Sequence, residues 1–530
     1  MSLRLAVCYF GFFLICPPWI HAEPLAEQDM ADRIDALLDK RIAVEGVLPS
    51  PRASDAEFLR RAWLDLTGII PPINEGVDTD DDNQDDEFYG VRGFLKDQRP
   101  DKRERLINFL LSKTTHANHF SNIWKNVMLP EDGNVQRLGG DAGFRNWLYG
   151  KFQDNVPYDE MVRELLLAAG QSTQTGPALF YTSLQLKPEE LAASTSRIFL
   201  GTQIQCAQCH DHPFDHWTRK DFWGYAAFFA RLQRPANNQQ FFNQVSDATE
   251  GEVKIPDTEE VVRPQYLGGQ VSPENDQTRR QRLADWLTSP DNPFFARATV
   301  NRAWSLLFGR GIVDPADDIG AHNEPSHPEL LNEMAEYFVE TGFDLDRLIR
   351  TLAFTRAYQR SSQTTGEEVP AELFAHMAIK SLTAEQLYDC LAEGMRKSAS
   401  ATTQQTGIGF RGFDQNRQVF LLKFRAPTQG ATEFESGIPQ ALTLMNGTMV
   451  RQATDLRQSD ILVSLQAPFF TDEGRVETLF LSTLSRFPSD EERAKFIPYV
   501  ESGGPDKNKE QALGDVLWAL LNSAEFILNH

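Results

Sequence analysis

The stretch Ser54-Asp55-Ala56-Glu57-Phe58-Leu59-Arg60-Arg61-Ala62-Trp63-Leu64-Asp65-Leu66-Thr67-Gly68-Ile69-Ile70-Pro71-Pro72 reads as one helix with both ends marked. Ser54 and Glu57 stand three apart, the spacing of a capping box, in which a hydroxyl and a carboxylate satisfy orphan N–H groups at a helix start. Leu59, Ala62, Trp63 and Leu66 recur at the helical period and make one apolar face. Gly68 and Pro71-Pro72 stop it, because glycine takes the left-handed turn that closes a helix and proline cannot continue one.

The same grammar runs outward in both directions. Toward the middle of the chain it predicts helices over residues 101–111, 119–128, 144–152, 158–169 (closed by Gly170), 189–200 (Pro188 in the first turn, Gly201 at the end) and an aromatic-rich 221–232. Beyond residue 279 it predicts helices at 280–287, 294–307, 328–340, 345–355, 371–378, 383–393, 435–455, 459–465, 472–484, 490–500 and 507–528. Capping pairs stand at Ser326/Glu329, Thr383/Gln386 and Ser489/Glu492. Residues 233–277 are rich in Pro, Gly, Asn and Gln and suggest an irregular connection with a short hairpin around 252–262. The expected fold is therefore mainly α: helical domains at 23–232 and 280–530 joined by an irregular linker at 233–279. Asp78 to Glu87 reads as a solvated acidic insertion, since a calcium loop begun at Asp78 would put Asn83 and Tyr89 where it needs Gly and Glu. Residues 398–435 carry no sustained period and read as a long loop.

At 530 residues the chain is too long for one ordinary core. Its net charge of −23, with no long Lys/Arg cluster, argues against nucleic acid or anionic lipid as a partner. Arg4, the apolar run Leu5 to Ile15, then Pro17, Pro18 and Ala22 read as a secretory signal over residues 1–22. That run is too short to span a bilayer comfortably, so no membrane span is expected beyond the signal, whether it is cleaved or kept as an anchor. The protein is therefore expected in the periplasm or outside the cell.

Export removes Cys8 and Cys16 and leaves Cys206, Cys209 and Cys390, which is no disulfide framework. Cys390 falls in a helical pattern and reads as a buried apolar residue. The other two open Cys206-Ala207-Gln208-Cys209-His210-Asp211-His212-Pro213-Phe214-Asp215-His216-Trp217, which invites three readings. In the first, Cys206 and Cys209 are thioether anchors of a c-type haem and His210 is the proximal iron ligand. The aromatic Phe222, Trp223 and Phe228 are then either pocket walls or core, and a second axial ligand would come from His322, His327 or a methionine. In the second, Cys206, Cys209, His212 and His216 form a compact N/S site for zinc. A hydrolase metal motif at His210, His212, Asp215 and His216 is out of register by one residue. In the third, the two cysteines form a local disulfide and the histidines brace a turn, leaving a cofactor-free scaffold.

Other positions read more quietly. His327, before a proline, looks like a helix cap; Arg302 and Arg310 look like partners of Asp314, Asp317 or Asp318; His116 and His119 look like surface residues. No nucleophile elbow, phosphate-cradling loop or dinucleotide fingerprint occurs.

Leu64-Asp65-Leu66-Thr67-Gly68 with Pro71-Pro72, then Cys206 to Trp217 followed by Asp221-Phe222, resemble the cytochrome-associated domain of unknown function of large exported planctomycete proteins. The second half resembles the planctomycete-specific domain that usually follows it. Its marks are Asn301-Arg302-Ala303-Trp304 with Phe308-Gly309-Arg310-Gly311, Ser326-His327-Pro328-Glu329-Leu330-Leu331, and Asn522-Ser523-Ala524-Glu525-Phe526. The resemblance covers nearly all of the exported chain and carries no established reaction. Many relatives have an additional N-terminal cytochrome c domain, and many are encoded beside secreted sulfatase-like proteins. Within these 530 residues the internal Cys-x-x-Cys-His is the only haem signature. The motif, with export, points to redox or electron transfer through a redox partner, and the family's neighbours imply extracellular polysaccharide-degrading enzymes as associates.

Overall fold

The computed structural model describes residues 24–74, 89–130, 140–172, 174–233, 244–364, 369–394, 415–424, 447–456 and 458–530, with positions 135, 138 and 445. The signal segment, the acidic run 78–87, most of the stretch 398–435 and the first part of the helix expected at 435–455 lie outside the described residues.

The protein is mainly α-helical, and the short strands come only as two-stranded pairs among the described residues. The opening stretch forms the helix Asp55–Thr67: the Ser54 hydroxyl accepts from Glu57 N–H at 3.2 Å and Gly68 closes the end at φ 75°. Only half of the expected capping box forms. The Glu57 carboxylate turns instead to Arg61, Ser361 and Ser362. Every residue from Phe58 to Thr67 is buried, not one face alone. The cause is position: Phe58, Leu59, Ala62, Trp63 and Leu66 belong to one core, while Leu64 belongs to a second. Arg60, buried with them, donates to the carbonyls of Thr483, Glu525 and Phe526 and so caps helix ends of the second unit.

The first core runs from Met30 to Met377 with Leu481 added, and the second draws on residues 384–526 with Leu64 and Ile70. Buried side chains therefore group on either side of residues 377–384 and continue across 233–279. Helix Glu27–Glu45 packs on Leu345–Phe354, Tyr158–Leu166 on Arg279–Leu287, and Pro188–Leu200 on Phe295–Phe308. Inside the stretch read as irregular, Val253–Lys254 pairs antiparallel with Val261–Val262, in the place of the expected hairpin. Lys380–Ser381 pairs with Leu528–Asn529, which brings the C-terminal end onto the junction between the cores.

Several elements depart from their periodicity. The helix expected from 119 begins at Thr114, and that expected at 371–378 shrinks to a 3-10 turn, Ala371–Leu373. A helix, Gln415–Phe424, lies within the expected loop 398–435, with Phe420 and Leu421 buried in the second core. The last helix divides into Lys509–Leu521 and Ala524–Ile527, where Ser523 caps a new start. No described helix is long and apolar enough to cross a membrane.

Candidate cofactor site

The Cys-x-x-Cys-His run starts five residues after the left-handed Gly201 that ends helix Pro188–Leu200. Residues Gln205–Gln208 make a 3-10 turn anchored by the buried Ala207 and by the Trp223 indole, which donates to the Gln208 carbonyl at 3.1 Å. Downstream, Asp211 accepts from Arg219 N–H, and His212 N–H donates to the Trp217 carbonyl at 2.7 Å, closing the 212–217 loop. Thr218 and Asp221 then form a full capping box on helix Arg219–Ala226, a signal that the sequence carries and that periodicity alone passed over.

Cys206 and Cys209 are both free and exposed, so the local disulfide expected under the scaffold reading is not formed here. The exposed His210 has its Nδ1 at 2.7 Å from the Asp211 carbonyl, which leaves Nε2 without a partner among the described residues. An imidazole tied through one nitrogen to a backbone carbonyl is oriented and polarised to coordinate through the other. Two open thiols three residues apart beside such a histidine fit the attachment chemistry of a c-type haem. The aromatic residues do not act as walls: Phe222, Trp223 and Phe228 are buried in the first core. They lie on the inner face of helix Arg219–Ala226 and its 3-10 extension, where apolar contact outweighs exposure beside a surface loop.

The remaining motif side chains turn to their neighbours. The Asp215 side chain is 2 % exposed although its loop is superficial; its Oδ1 accepts from His216 N–H at 2.7 Å and from the His216 ring at 2.6 Å. Burial acts to raise its pKa, but the His216 backbone and ring and the Ala321 N–H outweigh it and hold the carboxyl below the usual carboxylate range. Across from it, His322 of the second half places Nδ1 at 3.6 Å from Asp215 and Nε2 at 3.2 Å from Asp318. Its ring lies 5.9 Å from that of His212, whose Nδ1 accepts from Phe214 N–H. Among the described residues, no three His, Cys, Asp or Glu side chains are arranged to hold a metal ion, the set Cys206, Cys209, His212 and His216 included.

Other sequence candidates resolve into structural roles. His116 and His119, expected on the surface, are buried: the His116 ring bonds the Leu66 carbonyl and Asp346, and His119 packs beneath Gly68. They lie inside because their helix begins a turn earlier than expected and packs against Asp55–Thr67. His327 is buried and makes no capping hydrogen bond; its Nδ1 meets the Ser326 hydroxyl, and burial pulls its pKa to about 4. The Ser326/Glu329 box does not form, because Ser326 donates to the Ile312 carbonyl. Arg302 donates to the carbonyls of Arg197 and Ile198 instead of pairing with a carboxylate, so it caps the helix leading to the motif. Arg310 does face Asp314 at 3.8 Å, as well as Glu372. Cys390 is buried, and burial pushes its thiol up to about 12.

Residues 33–234 match PSCyt2, a family of proteins of unknown function (DUF1549), and residues 279–418 match PSD1, a second such family (DUF1553). No curated protein and no solved structure matches the chain.

Proposed function

We propose, for a chain that belongs to the family pairing the PSCyt2 domain with the PSD1 domain that follows it, a c-type haem redox protein working after export. The observation that carries this reading is the arrangement of Cys206, Cys209 and His210: two free, exposed thiols and one imidazole whose outer nitrogen is left open. Each thiol would add across one vinyl group of the porphyrin, its sulfur bonding one carbon and its hydrogen going to the other, while His210 Nε2 would serve as the proximal ligand. When bound, the group supplies a one-electron couple. The chain's own part is to anchor it through residues 206–210 and to hold His210 in one orientation through Asp211. A redox partner in the exported compartment, or an enzyme that breaks down extracellular polysaccharide, would exchange electrons at this face.

The test is a pyridine haemochrome spectrum of protein exported from a host with c-type haem maturation, run beside the Cys206→Ala, Cys209→Ala variant. A covalent haem band in the native protein, lost in the variant, is the expected result. A native protein without the band overturns the reading and leaves a cofactor-free scaffold or a metal-binding protein.

A further inference from the structure

A loop from the second half of the chain, residues 317–323, grips the Cys-x-x-Cys-His run on both flanks. Before the run, Ile319 N–H donates to the Gly201 carbonyl at 2.6 Å, Thr202 donates to the Ile319 carbonyl at 3.5 Å, and Asp317 takes Arg197 at 2.8 Å and Gln203 at 3.4 Å. After it, His322 and the Ala321 N–H face the buried Asp215 carboxylate, which in turn holds His216. The approach is so close that a Cβ on Gly320 would stand 2.4 Å from Asp215 Oδ2 and 2.8 Å from His322 Cε1.

The gripping loop is itself held from behind. Asn301, fully buried, donates to the carbonyls of Val313 at 2.8 Å and Ala316 at 3.0 Å and accepts from Val313 N–H at 2.9 Å. Asn323 adds bonds to the carbonyls of Asp314 and Asp318. Within residues 205–211 the described anchors come from the first half of the chain: buried Ala207, whose N–H donates to the Ile204 carbonyl, the packing of the 3-10 turn on helix Arg219–Ala226, the Trp223 bond to Gln208 and the Arg219 bond to Asp211. For so short a segment, the path depends as well on where its two flanks are fixed.

We infer that Gly320 and His322 are positioning residues of the motif, so that the second domain sets how Cys206, Cys209 and His210 are presented. The inference rests on reading this run as the cofactor site, but thiol reactivity tests it with or without haem. The full chain is prepared without haem maturation, and the alkylation of each cysteine by a maleimide is followed by mass spectrometry in native, Gly320→Ala, His322→Ala and His322→Gln proteins. Thiol rates follow exposure and local electrostatics, so in Gly320→Ala and His322→Ala the rates at Cys206 and Cys209 should change by about threefold or more. Buried Cys390 should stay protected as the reporter of an intact fold, and His322→Gln, which keeps a hydrogen-bonding side chain at the site, should restore the native rates. In the haem-loaded chain the same two variants should shift the midpoint potential, which depends on surroundings that a purely structural residue elsewhere would leave alone. Unchanged rates at Cys206 and Cys209 with Cys390 protected overturn the inference. If Gly320→Ala exposes Cys390, the outcome with His322→Ala decides. Altered rates, in a protein that takes up no haem when exported from a host with c-type haem maturation, would leave the positioning role standing and remove the haem reading alone.

Discussion

His119 lies with its ring under Gly68, where a Cβ would come within 2.4 Å of Nδ1, and its ring bonds the Asp65 carbonyl. Burial lowers its pKa from 6.5 to about 3, with the neighbouring His116 and Lys380 adding to the effect. The native state therefore keeps this imidazole neutral over a pH range in which the unfolded chain takes up a proton. Above about pH 6.5 both states are neutral and the group contributes no pH dependence; below it the unfolded state binds more protons, so stability falls with pH until the folded pKa is reached. The expected loss is about 2 kcal/mol by pH 5 for His119 and a similar amount for the buried His327. Urea titrations at pH 7.5 and pH 5 measure it, and His119→Gln should remove one of the two contributions; an unchanged slope would place His119 in a solvated site. From the sequence His116 and His119 looked superficial, because a residue near a helix start shows no face until the true start is known.

Helix Asp55–Thr67 shows what an element's ends decide. Its start and stop were legible in Ser54 and Gly68, since capping is a local transaction between a few backbone groups and the side chains beside them. Gly68 has a second duty that its neighbours impose. Gly68→Ala must both hold φ near 75° and displace His119, so it should cost at least about 1–3 kcal/mol, read as a drop in the urea midpoint. A loss within a few tenths of that expected at an exposed helix end would show that His119 moves aside freely. Where the sequence misjudged elements, the reason was tertiary. The expected helix 371–378 yields to a short turn, with Leu373 and Ala375 packed against Ile42 and the Phe374 carbonyl taken by Arg360.

At the scale of the molecule the two cores are joined through polar groups as well as through the shared helix. Asp65 accepts from Lys380 at 2.6 Å, Asn529 at 2.7 Å and Tyr358 at 2.9 Å, and Lys380 also donates to the carbonyls of Leu306 and Leu307. Both members of the ion pair are buried, so removing one strands the other's charge. Lys380→Met should cost about 3–5 kcal/mol, and because the pair sits where the cores meet, circular dichroism and tryptophan fluorescence should shift together in urea. Two separated transitions, with only one of them moved, would show that the cores unfold independently.

The sequence by itself determined the helical class, most helix ends, the family pairing and the identity of the Cys-x-x-Cys-His run, because these depend on periods, caps and motifs within a few residues of one another. The hairpin at Val253–Lys254 and Val261–Val262 was likewise within reach, its strands being close in the chain. Only the tertiary structure decided that helix Asp55–Thr67 is buried on all sides, that Asp65 meets Lys380, and that His322 stands beside Asp215. The last two of those meetings join residues about a hundred or more positions apart, and a spacing of that kind leaves no periodic trace. Their partners are chosen by desolvation, since a carboxylate or imidazole carried inside must find a complementary group wherever the packing has placed one.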